Sequence, residues 1–354
     1  VAALLKLRAI NPHVHLRDFD ESHKEDLDSG TRAAVAGGWT TVLDMPNNRP
    51  PITDRASLEE KHRRAAEKIH CFYGAFLVGV AGNARQAAEA ASGAAGLKIY
   101  LDNTHGALFV RELDLLAEHF RLWPAGKPIL VHAEGLSAPL AVGLAQVYGK
   151  RLHLCHISTA EEIAFIRAAK ESGAAITCEV TPHHLLLTED DARRLGPFGY
   201  MKPELKTAAD VQALWDNLDV IDCIADDHAP HTVEEKRSEN PPPGVPGLET
   251  TLPLMLNAVA EGRLTLEQLV ERVSTNPARI FHIPDQPETY ALIDTEARYT
   301  LDTAALQTRC GWSPFEGHPL RGRICEVWIR GKRVFRDGAF YEIERPPLVL
   351  NGVF

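Results

Sequence analysis

A repeated alternation of short β-rich runs with helical stretches constrains this chain more than any other feature. "WTTVLDM" reads as a strand, and "TDRASLEEKHRRAAEK" after it has helical composition with a Thr/Asp start. "CFYGAFLV", "GLKIYL", "PILVHA", "RLHLCHIS", "AAITCEVTP" and "VIDCIADD" follow as further strands. Helical stretches such as "RELDLLAEHF", "TAEEIAFIRAAKES" and "TAADVQALWDNL" lie between several of them, each about the length a crossover needs. With "AINPHVHL" at the start, the count comes to about eight strands. Repeated β-α units predict a parallel sheet of the α/β class, and eight that close on themselves make a (β/α)8 TIM barrel. A doubly wound open sheet is the runner-up, but no GxGxxG follows the first strand. The stretch "GRICEVWIRGKRVFRDGAF" has no helix after it and predicts a β-hairpin turning at Gly331, packed beside the barrel. The expected division is a barrel over 1–320 and a small C-terminal β extension over 321–354. The Pro-rich "ENPPPGVPG" at 239–247 reads as a rigid loop.

The 354 residues suit one large α/β domain or two ordinary ones. A formal charge of −10 argues against a nucleic-acid footprint. No apolar run reaches membrane-spanning length, and "VAALLKL" is too short for a signal peptide. The six cysteines are scattered with no CxxC pair, which predicts reduced thiols and a cytoplasmic location. The chain starts with Val and enters its first strand almost at once, as an excised domain of a longer polypeptide would.

Barrels of this kind carry chemistry at the C-terminal ends of their strands. The first strand ends in "NPHVHLRD", which places His13, His15 and Arg17 on alternate positions and so on one face. The second runs into "DMPNNRP" with Asn47, and the fourth carries Lys98 in an otherwise apolar run. The fifth ends at His132, the sixth at His156 and the eighth at Asp227. One strand-end histidine is usually a hydrogen-bonded core residue; four, with a lysine and an aspartate on the same rim, point to a metal site. Imidazole and carboxylate are good Zn²⁺ ligands. A bare ammonium cannot ligate a cation and is costly to bury unpaired. Lys98 fits such a site if its amine has taken up CO₂ to form a carbamate, whose two oxygens can bridge two metals. An ion pair across the barrel is the ordinary alternative. Asp227 can serve as ligand, general base and proton donor to a leaving nitrogen.

These motifs resemble the amidohydrolase superfamily and, within it, dihydroorotase. The resemblance runs nearly end to end, through "HVHLRD", "HKEDLDSGTRAAVAGGWTTVLDMPNNRPP", "AAGLKIYL", "VHAE", "HLCHIS", "EVTPHHL", "DHAPHT", "PPPGVPGLET" and "NPARIF". "HKEDLDSG" and "DHAPHTVEEK" are most similar to the dihydroorotase domain of the animal polyprotein that also carries carbamoyl phosphate synthetase and aspartate transcarbamoylase. The resemblance implies a zinc-dependent, reversible cyclisation of N-carbamoyl-L-aspartate to L-dihydroorotate in pyrimidine biosynthesis. It implies two Zn²⁺ bridged by carboxylated Lys98. His13, His15, Lys98 and Asp227 would hold one ion; Lys98, His132 and His156 would hold the other. Arg17, Asn47 and His231 would bind the substrate carboxylate, and Pro243 and Gly244 would touch the substrate. Thr104, in "LDNTHGALF", would meet it from a closing loop. Cys155 and Glu179 match positions able to hold an additional Zn²⁺ near His13, although a core cysteine and a buried paired glutamate explain them equally well. His183 and His184 belong to the motif but are not expected to be ligands, and His153 is expected to be structural. A homodimer, and fusion to or assembly with the two partner enzymes, are implied as well.

The chain departs from the family's pattern at three positions. Asn11 stands where the family usually has Asp, and Asn cannot carry that charge. His105 follows the loop threonine where relatives often place an apolar side chain. Lys202, in "YMKPELK", replaces an Arg that contacts substrate in the animal relatives; Lys keeps the charge but loses the planar fork. These departures leave open a weakened or inactive domain with a scaffolding role. A hydantoinase, dihydropyrimidinase or allantoinase is the other alternative, but most substrates of those enzymes lack the carboxylate that Arg17 would bind.

Overall fold

The computed structural model describes residues 4–104 and 108–342. Fourteen strands are present among them. The first is β1 (Leu4–Leu7), followed by β2 (Ala9–Val14), β3 (Trp39–Asp44), β4 (Phe72–Ala75), β5 (Leu77–Gly79), β6 (Leu97–Tyr100) and β7 (Ile129–His132). Next come β8 (Leu152–Leu154), β9 (Ile176–Val180) and β10 (Cys223–Ile224). The last four are β11 (Tyr290–Thr300), β12 (Pro319–Ile329), β13 (Lys332–Arg336) and β14 (Ala339–Phe340).

Strands β2 to β10 form the (β/α)8 barrel expected from the alternation. Helices Leu27–Ala36, Arg55–Lys68, Ala84–Ala90, Leu113–Leu122, Ser137–Tyr148, Ala160–Glu171, Ala208–Asp216 and Thr251–Ala260 follow its eight strand positions in turn. Their starts are written locally. Asp26 with Ser29, Asp54 with Ser57, Thr159 with Glu162 and Thr207 with Asp210 each form a reciprocal capping box. Helices cover the barrel, so β2, β3, β6 and β7 are buried along their whole lengths.

The ladders form two parallel sheets, β10-β9-β8-β7-β6-β5 and β2-β3-β4, and not one unbroken ring. "CFYGAFLV" was expected as one strand and is instead β4 and β5, split at Phe76. The split marks a change of neighbour: β4 pairs with β3, and β5 pairs with β6. On the other side a single bridge, Val14 to His228, links the first strand to the segment after β10, and the His15 N–H donates to the His228 carbonyl at 2.8 Å.

The C-terminal hairpin forms as expected, with Ile329 opposite Lys332 and left-handed Arg330 and Gly331 (φ 52° and 74°) at its turn. It belongs to a larger antiparallel sheet, in the order β1-β11-β12-β13-β14. Both β1, from the start of the chain, and β11 lie in this sheet, and β12 begins at Pro319. The expected division at residue 320 therefore falls inside a strand. The sheet draws on both ends of the chain because β1 pairs antiparallel with β11, a contact across nearly 290 residues that no local pattern announces.

Candidate metal and substrate site

The polar strand ends meet at one mouth of the barrel. His13 lies within β2, and His15 is the first residue beyond it. Lys98 is the second residue of β6, His132 ends β7, His156 is two residues past β8, and Asp227 is three past β10. Three of the site residues turn there in left-handed backbone: Arg17 (φ 56°), His156 (φ 35°) and Asp227 (φ 46°). Non-glycine residues held in this region cluster at functional sites.

His13, His15, Lys98, His132 and His156 are all buried. His13 Nε2 is 3.1 Å from Asp227 Oδ1, and His15 Nε2 is 2.9 Å from the same oxygen. His132 Nδ1 is 2.9 Å from His156 Nε2, and His156 Nδ1 is buried with no hydrogen-bond partner. Burial alone would lower the His13 pKa, but the Glu179 and Asp227 carboxylates outweigh it and raise it well above the usual value. Burial lowers His15 to about 4 and His156 well below its ordinary range. Against burial, His13 and His15 hold Asp227 far below the usual carboxylate range. Donor atoms of His13, His156 and Asp227 lie within 4.8 Å of one another, as do those of His13, Cys155 and Glu179. The two groups share His13, whose Nδ1 meets Glu179 while its Nε2 meets Asp227. Nitrogen, oxygen and sulfur donors so arranged, with one buried imidazole nitrogen unused, fit a transition-metal site. His156 has a donor atom near those of His13 and Asp227 and also contacts His132, with which, and with Lys98, it is expected to share an ion.

Lys98 is fully buried, and among the described residues it makes no ion pair. Its Nζ lies 3.0 Å from Cys155 Sγ and 5.2 Å from the centre of the Tyr100 ring. The ion pair across the barrel that would explain it in the ordinary way is therefore not formed.

The expected substrate residues line the same pocket as His13, His15, Lys98, His132, His156 and Asp227. Arg17 directs Nε to the Pro230 carbonyl (3.3 Å) and Nη2 toward His231 Nε2 (3.1 Å). His231 Nε2 is also 3.0 Å from the Pro243 carbonyl. Burial, with Arg17 and Lys24 beside it, drives the His231 pKa well below normal, so the ring is neutral. A Cβ on Gly244 (φ 133°) would fall 2.6 Å from the Ala229 carbonyl, so only glycine lets this loop close on the barrel. Thr104 and Lys202 complete the wall. Lys202 is bonded to Glu204 at 2.9 Å. Asn47 lines the pocket too, but its Oδ1 is 2.6 Å from His15 Nδ1, so it also sets that ring's orientation. His105 lies outside the described residues.

His153 and His184 prove structural. His153 binds Thr177 Oγ1 (2.8 Å) and Glu179 Oε2 (3.1 Å), and His184 lies between Thr181 and the Pro203 carbonyl. His183 is buried beside it and does not line the pocket. Asn11 accepts the His13 N–H at 3.2 Å and is wholly buried. Sequence reasoning missed Glu134, whose carboxylate lies 3.1 Å from His132 Nε2, and Tyr100, which roofs Lys98. The signal for Glu134 was present in "VHAE", two residues past the ligand candidate. It also missed Asp44, Asn48 and Lys61, which lie behind Arg17.

A sequence model of the amidohydrolase family matches residues 9–288. Multifunctional protein pyr1-3 of Dictyostelium discoideum is 48% identical over 331 residues, 93% of this chain. The chain spans 15% of the length of that relative. The dihydroorotase of Pyrococcus furiosus is 37% identical over 93% of this chain and 80% of its own length. Among solved structures, an L-hydantoinase (dihydropyrimidinase) from Arthrobacter aurescens superposes with a TM-score of 0.90 at 27% identity, over 96% of this chain and 87% of that one. The inactive dihydroorotase-like domain of a Chaetomium thermophilum CAD-like multifunctional protein superposes with a TM-score of 0.85 at 26% identity, over 98% and 99%.

Proposed function

The chain belongs to the amidohydrolase family and, within it, to the dihydroorotases, and on that premise we propose that it interconverts N-carbamoyl-L-aspartate and L-dihydroorotate. The family implies a binuclear metal centre, and the converging His, Asp and Glu side chains suit one. We assign two zinc ions, to both of which Lys98, as a carbamate, would offer a ligand. His13, His15 and Asp227 would complete the first ion's ligands, and His132 and His156 the second's. A third ion would take His13, Cys155 and Glu179. Bound there, the metal pair would polarise the substrate carbonyl and supply hydroxide near neutral pH.

The protein's own residues do the rest. Arg17, with His231 and Asn47 beside it, binds the substrate carboxylate through a planar, charge-assisted fork. Pro243 and Gly244 fix the ring edge, and Thr104 meets the substrate from the same pocket wall. In hydrolysis Asp227 takes the proton that the attacking water loses and passes it to the ring nitrogen as the amide bond breaks. In synthesis it takes the proton from the carbamoyl nitrogen as that bond forms and water leaves.

The observation that carries this reading is Arg17 sharing one pocket with the metal-ligand candidates. A hydantoinase needs no such guanidinium. The test is turnover of L-dihydroorotate by zinc-loaded and metal-stripped protein, with 5,6-dihydrouracil as the competing substrate. Metal-dependent turnover of dihydroorotate alone supports the reading; equal turnover of both favours a hydantoinase. Absence of turnover with full metal occupancy favours the scaffold reading, which Lys202 and the inactive structural relative make concrete.

Fusion to carbamoyl phosphate synthetase and aspartate transcarbamoylase domains, and a cytoplasmic location, belong to the same proposal. The 48% identity to a multifunctional protein supports fusion. No helix among the described residues is long and apolar enough to cross a membrane. A homodimer fits the exposed Leu136, Leu140 and Val147, which recur at helical spacing along Ser137–Tyr148. Sedimentation of the zinc-loaded chain tests it.

A further inference from the structure

Arg17 begins a run of three consecutive left-handed residues, with Asp18 at φ 60° and Phe19 at φ 52° after it. None of the three is glycine, so surrounding contacts must hold the backbone where side chains disfavour it. Asp18 is held by its own bonds to Phe19, Leu27, Arg64 and Lys68, and the Arg17 end by a buried cluster from the end of β3, the loop after it and helix Arg55–Lys68. Asp44 Oδ1 accepts the Leu16 N–H at 3.0 Å, which pins the link between His15 and Arg17. Asn48 Nδ2 donates to the Arg17 carbonyl. Behind Asn48 stands Lys61, a fully buried lysine on helix Arg55–Lys68. Its ammonium spends all three donors: on Asp44 Oδ2 (2.9 Å), the Met45 carbonyl (2.8 Å) and Asn48 Oδ1 (2.8 Å).

That last bond decides the orientation of the Asn48 amide. Only the oxygen end can face an ammonium, so the NH₂ end must face the Arg17 carbonyl. The chain thus uses a buried charge to aim a neutral amide, and the amide to hold a left-handed arginine. The guanidinium that results points at Pro230 and His231 on the wall of the pocket. We propose that Asn48, oriented by Lys61 and Asp44, is a positioning residue for Arg17 and so sets the affinity of the pocket for carboxylated substrate. This rests on the reading of Arg17 as the carboxylate ligand.

The test is a double-mutant cycle on the zinc-loaded protein with L-dihydroorotate. Asn48→Asp keeps the size and the oxygen facing Lys61 but loses the donor to Arg17. It should raise KM on the order of tenfold, the scale of one lost hydrogen bond to a buried acceptor, with kcat and zinc content nearly unchanged. In an Arg17→Ala background, Asn48→Asp should add little to KM. A silent Asn48→Asp beside a large Arg17→Ala effect overturns the positioning role alone. So does an effect that adds in full to Arg17→Ala, or one that falls on kcat and zinc content instead of KM. An Arg17→Ala variant with wild-type KM overturns the reading of Arg17 and the positioning role with it. Should Asn48→Asp fail to fold, Asn48→Ala, which adds no charge, runs the same cycle.

Discussion

Three lysines are fully buried among the described residues, and the surroundings of two of them, Lys61 and Lys98, differ in kind. Lys61, on the flank of the pocket behind Arg17, has a carboxylate at 2.9 Å and an acceptor for each of its three donors. Lys98, on the pocket floor, has a thiol at 3.0 Å, an aromatic ring, and no ion pair among the described residues. A buried ammonium is tolerable when it is paired and hydrogen-bonded, and very costly when it is not. The flank is therefore complete as it stands. The floor is chemically unfinished, and a carbamate on Lys98 with metal around it would finish it. The imidazoles do not divide so cleanly: His153 and His184 have partners for both nitrogens, but a buried nitrogen without one is found on His156 in the site and also on His62, His119, His183 and His228 outside it.

The contrast is broken or sharpened by four experiments. The largest effect is expected at the floor. Asp227→Ala should lower kcat by at least about 10²–10⁴-fold, the usual worth of a general acid–base group, with the circular dichroism spectrum unchanged. Rates near wild type would remove Asp227 from the chemistry. Second, Lys98→Ala should release at least one zinc ion with little loss of stability. Lys61→Met should keep the zinc but lose about 3–5 kcal/mol in denaturant unfolding, the cost of stranding a buried ion partner. Exchanged outcomes would reverse the assignment of the two lysines.

Third, Lys202→Arg should lower KM for dihydroorotate by up to roughly tenfold, the scale of one charge-assisted hydrogen bond. An unchanged KM would show that residue 202 does not reach substrate. The smallest effect concerns Lys236, a third buried lysine. It donates to the carbonyls of Tyr200, Pro242 and Gly244 and has no carboxylate among these partners. Burial lowers its pKa from 10.5 to about 7. Between those values the unfolded chain binds more protons than the folded one, so this group's contribution to stability rises with pH across the window and is lost as pH falls through about 7. Unfolding followed from pH 7 to 10 should show that slope in the wild type and not in Lys236→Met. Equal slopes would mean the ammonium is adequately solvated by its three carbonyls.

Much of the floor was legible beforehand because its residue types are improbable where they stand. A lysine inside "GLKIYL", and histidines closing "ILVH" and following "LHLC", break the apolar pattern of buried parallel strands. The flank was not legible. Lys61 lies in "TDRASLEEKHRRAAEK", where a lysine on a charged amphipathic helix is unremarkable, and nothing local distinguishes it from Arg63 or Lys68. Asn48 was passed over beside Asn47 because adjacent residues in a loop have no fixed facing. Glu134 and Tyr100 each act on a residue only two positions away, His132 and Lys98, so their signal was local and was overlooked.

The sequence by itself determined the eightfold alternation, the helix starts, the hairpin at Gly331 and the set of polar residues at the strand ends. These follow from short-range rules: side-chain periodicity, capping and turn geometry act within a few residues. Only the tertiary structure decided that β1 pairs with β11, that the third strand divides at Phe76, that His156 stands with His13 and Asp227, and that Lys61 aims Asn48 at Arg17. Each of these is a contact between residues far apart along the chain. Such contacts are fixed by how the barrel closes and by the need to pair every buried charge, conditions that apply to the folded molecule as a whole.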